Sequence, residues 1–293
     1  MDLLEVRNVG LTYNDFVAVN DLTFTLEQGK TYGLLGRNGA GKTSILSLIA
    51  ALQLQTKGTI KFNNVHVFEN PEAMQSISFI YDQDYSEETE KVKRLLEATK
   101  KYRPYFDQEY ADYLIKKFKL PLNKPVKNLS KGMQSAFNVT VGLASRSPIT
   151  IFDESYLGMD VPTREIFYEE ILKEQGENPR IIILSTHLVS EMDHLFDEVL
   201  VIHNGSLILK EQYEDLISKG VHITGNENSI NQFIQGYKVL HEQKLGGTKS
   251  ALIYGSLTEQ DRELAKQNGL QLNPATLQEL FTHLTKEKED EDE

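Results

Sequence analysis

The chain contains no cysteine, which excludes disulfide bonds and thiolate metal sites and fits a reducing compartment. It has no uninterrupted apolar run approaching the roughly 18 residues of a membrane-spanning helix. The start, Met1-Asp2-Leu3-Leu4-Glu5, lacks the basic and then apolar pattern of a signal peptide, so the chain is expected to be soluble by itself. Positive charge is also in deficit: 31 Lys and Arg against 43 Asp and Glu give a formal net charge of −12. That balance argues against nucleic acid as a partner. Part of the excess sits in residues 286–293, Lys286 to Glu293, which are expected to form an acidic, disordered tail. The length of 293 residues allows one large domain, or one of about 200 residues with a smaller companion.

What is present is organised around Gly36-Arg37-Asn38-Gly39-Ala40-Gly41-Lys42-Thr43, a G-x-x-x-x-G-K-T pattern between an apolar run and a helical one. Three glycines let the backbone curl tightly and turn successive N–H groups inward, where a helix N-terminus adds its positive dipole end. The concavity suits phosphate. Thr31 to Leu35 reads as a buried strand before the loop, and Ile45, Leu46, Leu48, Ile49 and Leu52 follow at helical spacing. Lys42 is positioned to reach the β and γ phosphates and Thr43 to hold Mg²⁺. The candidate nucleotide contacts are Gly36, Asn38, Gly39, Ala40, Gly41, Lys42, Thr43 and Ser44.

Around the loop, Leu3 to Val6, Val17 to Val19 and Leu22 to Leu26 read as an antiparallel β layer. Tyr13 lies about two dozen residues before the phosphate loop, where an aromatic face can stack on a nucleotide base. Ser78 to Tyr81 is a short strand that leads to Gln83 in a polar turn, a candidate Mg²⁺ ligand. From Glu87 to about Lys119 the period turns helical, and Pro121 and Pro125 break it before Leu129-Ser130-Lys131-Gly132-Met133. Ser130 suits a helix N-cap. Ile149 to Phe152 reads as a buried strand that delivers Asp153 and Glu154 at its carboxyl edge, where open α/β sheets bind ligands. Asp153 is read as a Mg²⁺ holder through water and Glu154 as the group that polarises the attacking water. Arg180 to Ser185 reads as a further buried strand that ends at Thr186-His187, and His187 alone among the 7 histidines is assigned to the site. From Gln212 the pattern restarts in the order βαββαβ, a split βαβ or ferredoxin-like layout read as a regulatory, interaction or packing unit.

The ordered set of Tyr13, the phosphate loop, Gln83, Leu129 to Met133, Asp153-Glu154 with Asp160 seven residues on, and His187 resembles the nucleotide-binding subunits of ATP-binding cassette transporters. The resemblance covers roughly residues 2 to 210. It implies an α/β fold of the P-loop ABC type, with an antiparallel β layer, a parallel-sheet core and a helical subdomain over about 84–145. The domain expectation is a nucleotide-binding domain over 1–211 and a small C-terminal α+β, ferredoxin-like domain over 212–285. The resemblance further implies an ATPase using ATP and Mg²⁺, with Glu154, His187, Lys42 and Gln83 as catalytic residues. Tyr13, Ser130, Gly132 and Asp160 join the phosphate loop in holding nucleotide, and Thr43, Gln83 and Asp153 hold the metal.

In that family two domains pair head to tail, so Ser130 and Gly132 are implied to act in trans on the partner's ATP. His187 is implied to contact the γ phosphate. Gln83 is implied to couple Mg²⁺ to a transmembrane permease, at the cytoplasmic face of the membrane. Lys131 and Met133 stand where the usual signature has a glycine and a glutamine, and Ser155 stands where proline is usual. The chain is also similar in size and in its K-G-M signature to the ATPase subunits of Gram-positive peptide and toxin exporters, phenol-soluble modulin exporters among them. An alternative reading is a soluble ABC protein acting as an ATP-dependent regulator or sensor. A cassette acting on ribosomes or DNA is disfavoured by the single cassette, the lack of cysteine zinc modules and the acidic balance.

Overall fold

The computed structural model describes residues 2–187 and 189–291. The chain divides into two compact units, the first made of the chain up to His187 together with His194–Lys210. In the first unit β1 (Leu3–Tyr13) and β2 (Phe16–Glu27) form an antiparallel pair across a turn in which Asn14 has φ 51. The chain then passes through β3 (Thr31–Leu35) and α1 (Lys42–Ile49) to β4 (Lys57–Phe62) and the two-residue β5 (Val65–His66). One sheet has the order β2-β1-β4-β5. Its strands alternate, so that Leu4, Val6, Leu22, Phe24, Leu26, Ile60 and Phe62 face inward.

A short α2 (Pro71–Gln75) leads into β6 (Ile77–Tyr81), and then come α3 (Val92–Tyr102), α4 (Gln108–Lys117) and α5 (Lys131–Ala144). The chain returns through β7 (Ile149–Asp153), α6 (Val161–Glu177), β8 (Ile181–Thr186), β9 (Glu198–His203) and β10 (Ser206–Gln212). These strands and β3 make a second sheet in the order β10-β9-β3-β8-β7-β6. From β9 to β6 all neighbours run parallel. β3, β7 and β8 are buried along their whole length, as strands covered on both faces must be. Ile45, Leu46, Leu48 and Ile49 of α1 share one core with the inward residues of both sheets.

Buried charge ties α4 and α5 to the rest of this unit. Glu174, with no exposed side chain, accepts from Arg180 at 2.7 Å and from Arg146 at 3.1 Å, and Arg146 also pairs with Asp107 just before α4. Glu170 accepts from the Tyr110 and Tyr113 hydroxyls at 2.8 and 2.9 Å and from Lys117 at 2.7 Å. Although burial works the other way, the bonds from Lys117, Tyr110 and Tyr113 hold the Glu170 carboxyl below its usual range. Removing one member leaves a buried charge short of its partner. Arg180→Met is therefore expected to lower the unfolding free energy by roughly 3–5 kcal/mol, read from the urea midpoint, with Glu174→Gln added to it restoring part of the loss.

The second unit takes in α7 (Val189–Met192) and the chain from Glu211. It continues through α8 (Tyr213–Lys219), β11 (Gly220–Asn226), α9 (Glu227–Phe233), β12 (Lys238–Leu245) and β13 (Thr248–Tyr254) to α10 (Glu259–Gln267), β14 (Gln271–Pro274) and α11 (Leu277–Glu291). The sheet order is β12-β13-β11-β14, antiparallel throughout. Ile223, Ala251 and Ile253 pack with Ile230, Phe233 and Ala265 on one face. The backbone of α11 stays helical to Glu291, where the sequence reading expects a disordered tail. Lys and Glu are good helix formers, so charge density alone does not force coil. Asp292 and Glu293 lie outside the described residues.

The other face of this sheet meets α11 through histidines. His222 on β11 pairs with Glu279 at 3.1 Å, and His241 on β12 stacks on His283 with centroids 4.6 Å apart. Burial, followed by the charges of His241, Lys286 and His222, pushes the His283 pKa down, against the pull of Glu279. A histidine whose folded pKa is depressed binds fewer protons than it does unfolded. Its contribution is therefore intact above the unfolded value of about 6.5 and is lost as pH falls through it. The thermal midpoint by circular dichroism is expected to be lower at pH 5.5 than at pH 7.5, and His283→Asn is expected to remove part of that difference.

Candidate active site

Gly41 sits at φ +100, and a Cβ there would lie 2.5 Å from the Ala18 carbonyl oxygen, so only glycine fits this close approach. It is the N-cap of α1, and no side chain caps the helix. The first N–H groups of α1 are therefore directed at the loop's own concavity, where an anion satisfies them. A cavity of about 380 Å³ opens there, lined by Phe16, Ala18, Asn38, Gly39, Ala40, Gly41, Lys42, Thr43, Ser44 and Glu154. Gly36 is not in that lining; its carbonyl accepts from the Lys42 Nζ at 2.7 Å.

Lys42 is 7% exposed and its Nζ lies 4.0 Å from Glu154 Oε1. Burial pushes its pKa down, with the Glu154 and Asp153 carboxylates opposing. Thr43 donates its hydroxyl to Asp153 Oδ2 at 2.7 Å, across two elements that the parallel sheet brings together. The other oxygen, Asp153 Oδ1, is buried without a hydrogen-bond partner. An orphaned carboxylate oxygen beside a threonine hydroxyl is the donor set a hard divalent cation takes, so these residues fit Mg²⁺. Glu154 adopts φ +50, a left-handed conformation rare for a non-glycine residue. Its Oε1 lies 2.9 Å from His187 Nδ1, which joins the ends of β7 and β8.

Tyr13, Gln83, Ser130, Gly132 and Asp160, all expected contacts, do not line this cavity. Tyr13 ends β1 with its hydroxyl donating to Gln53 Oε1 at 2.7 Å, and Phe16, 63% exposed, is the ring that lines the cavity. The turn between β1 and β2 carries Phe16 back toward the loop, and no motif marks it in the sequence. Gln83 lines a different cavity of about 400 Å³ with Tyr81, Tyr85, Thr99, Tyr102, Arg103 and Asn138, among others. Its loop is drawn toward α5, because Asp82 pairs with Lys131 and the Tyr85 hydroxyl donates to Asn138. Ser130, Gly132 and Asp160 come together instead around a third cavity of about 380 Å³, lined also by Met133 and Gly158. There Ser130 caps α5 by accepting from Met133 N, and Asp160 caps α6 by accepting from Thr163 N.

The ABC transporter family profile matches residues 19–156. The ABC transporter ATP-binding protein YtrB of Bacillus subtilis is 27% identical over 72% of this chain and 75% of its own. NatA of the same organism, another ABC transporter ATP-binding protein, is 30% identical over 68% of this chain and 83% of its own. The Nod factor export ATP-binding protein I of Sinorhizobium fredii is 27% identical over 96% and 85%. Among solved structures, the ATP-binding subunit of an ABC transporter superposes with a TM-score of 0.65 at 25% identity, over 73% of this chain and 91% of that one. A dimeric post-hydrolysis cassette bound to ADP and phosphate gives 0.62 at 19% identity, over 72% and 98%. The chain belongs to the ABC transporter ATP-binding proteins. It is an ATPase subunit with the P-loop ABC fold, and ATP is its substrate.

Proposed function

We propose that this chain is the motor subunit of a membrane exporter, working as a head-to-tail pair in which each ATP is held by one chain's phosphate loop and covered by the other's Ser130 and Gly132. The observation that carries this reading is the separation of the two halves: the phosphate-loop cavity and the Ser130 cavity share no lining residue. The pair is homo- or heteromeric according to whether the second cassette is identical. Gln83 and its neighbours in the separate cavity form the surface for a transmembrane permease at the cytoplasmic face of the membrane. No helix among the described residues is long and apolar enough to cross a membrane, so the path for cargo belongs to that permease. The export name of the Sinorhizobium relative supports the outward direction, and the K-G-M signature supports a peptide or toxin cargo.

In the mechanism, the α1 N-terminus and Lys42 bind the β and γ phosphates, and the exposed ring of Phe16 offers the base a face. Thr43 and Asp153 would hold Mg²⁺, which when bound would neutralise part of the phosphate charge. Glu154 orients and deprotonates the attacking water. His187, bonded to Glu154 through Nδ1, keeps that carboxylate aimed while its Nε2 faces the γ phosphate. The signature half from the partner excludes water and completes the donors around the transferred group.

The test uses Glu154→Gln chains, which bind ATP without turning it over. ATP is expected to shift them from monomer to dimer by light scattering, and Ser130→Arg is expected to abolish that shift while leaving fluorescent-ATP binding to the monomer intact. A dimer that persists in Ser130→Arg, or a monomer that no longer binds ATP, overturns the composite site.

A further inference from the structure

The strand β8 reads Ile181-Ile182-Ile183-Leu184-Ser185-Thr186 and is buried along its whole length. Ile181 and Ile183 belong to the core that the sheet shares with α1, so by the alternation of a strand Ser185 faces α1 as well. On β7, Ile149 and Ile151 belong to the same core, and Asp153 continues their face to meet Thr43 on α1. Ser185 and Asp153 are register partners across this parallel pair, while Leu34, the partner of Ser185 on its other side, is apolar. A serine with 0% exposure and an aspartate with 6% thus stand side by side at the start of α1. Among the described residues, neither Ser185 Oγ nor Asp153 Oδ1 has a hydrogen-bond partner. A strand covered on both faces gains from an apolar residue at such a position, and a buried oxygen left unpaired costs free energy. Two of them on one face of neighbouring strands point to a shared donor.

We propose that Ser185 is a positioning residue for the metal: its hydroxyl and Asp153 Oδ1 accept the two hydrogens of one water that Mg²⁺ keeps as a ligand. This rests on the reading of Thr43 and Asp153 as the residues that hold the metal. Mg²⁺ dehydrates reluctantly and is usually bound through one or two protein oxygens, with several waters retained. A metal-bound water is a strong donor that needs acceptors in fixed directions, and carboxylate and hydroxyl oxygens both accept. Asp153 alone fixes one hydrogen. Ser185 fixes the second, so the water and the metal behind it take a single orientation. The Ser185 carbonyl has a separate task, accepting from Glu154 N at 3.3 Å, and that backbone contact does not depend on the side chain.

The test titrates Mn²⁺, a spectroscopic stand-in for Mg²⁺, into chains held in excess over a non-hydrolysable ATP analogue, with free Mn²⁺ read by electron paramagnetic resonance. Ser185→Ala is expected to weaken Mn²⁺ binding about tenfold, the low end for removing a group that orients a metal's ligand. Its affinity for fluorescent ATP in EDTA is expected to match wild type, and its thermal midpoint to be unchanged or raised, because an unpaired buried hydroxyl is gone. Asp153→Asn is expected to weaken Mn²⁺ binding more, and adding Ser185→Ala to it to cost little further, since both act through one water. Ser147, equally buried and with its hydroxyl also unpaired, precedes the opposite end of β7, and Ser147→Ala is expected to leave Mn²⁺ binding unchanged. If Ser185→Ala binds Mn²⁺ as wild type does while Asp153→Asn does not, the proposal falls and the metal reading stands. If Asp153→Asn also binds it normally, the metal reading falls with it. A Ser185→Ala chain that loses thermal stability and ATP affinity in EDTA along with Mn²⁺ shows a packing role and overturns the proposal.

Discussion

Glu154→Gln is expected to bind ATP with little change and to lose about 10²–10⁴-fold in steady-state turnover, the range for removing a positioned general base. The geometry behind this is specific. Glu154 follows the last residue of β7 and takes φ +50, a conformation that costs energy and turns its carboxylate out of the strand's own alternation. That turn separates it from Asp153, whose Oδ2 receives the Thr43 hydroxyl, and sets it between Lys42 and His187. Glutamine keeps the size and the hydrogen bond to His187 and loses only the ability to accept a proton. The measurement is phosphate release by the assembled transporter, with ATP affinity taken separately on the isolated chain. Retained turnover moves the base elsewhere; lost binding makes Glu154 a positioning group for nucleotide. His187→Ala is expected to fall between wild type and this variant, since it removes the orienting partner and leaves the carboxylate.

Lys42→Met is expected to weaken ATP binding about 10²–10³-fold, the cost of removing one partner of a desolvated charge pair, and to leave the thermal midpoint unchanged or raised. The two outcomes have one cause. In the free chain Lys42 is almost fully buried, with its ammonium on the Gly36 carbonyl, and burial pushes its pKa down. The fold thus holds a charge out of water for a ligand that arrives later. A methionine of similar length removes the desolvated charge and fills the same space. Arginine is no substitute, because a planar guanidinium cannot occupy the position of a compact ammonium. Binding is read by titration with fluorescent ATP and stability by circular dichroism. A midpoint several degrees lower shows instead that Lys42 chiefly holds the loop together.

The readable parts of the site were those in which local sequence already specifies local geometry. Gly41, whose neighbours leave no room for a Cβ, and Lys42 and Thr43 at the start of α1 form a loop whose conformation and chemistry both reside in eight consecutive residues. β3, β7 and β8 were legible because strands buried on both faces must be continuous apolar runs. The two-residue β5 and the five-residue α2 carry too little periodicity to stand out. Charge misled at Lys286–Glu291, where good helix formers continue α11. At the ends of strands, local reasoning stops being sufficient. Tyr13 and Phe16 are both aromatic and close in sequence, and the hairpin between β1 and β2 alone puts Phe16 in the phosphate cavity.

Local sequence specifies a phosphate loop, and acids and a histidine at the carboxyl ends of buried strands. These follow from nearest-neighbour chemistry and periodicity, which act over a few residues. Only the tertiary structure decided which of those groups meet. The order β3-β8-β7 brings Thr43 to Asp153 across 110 positions and His187 to Glu154 across 33. The pull of α5 on the loop after β6 takes Gln83 into another cavity and gives Lys131 its partner Asp82. Sheet order and helix docking are set by the burial of whole faces against one another, a sum over distant residues that no short stretch of sequence contains.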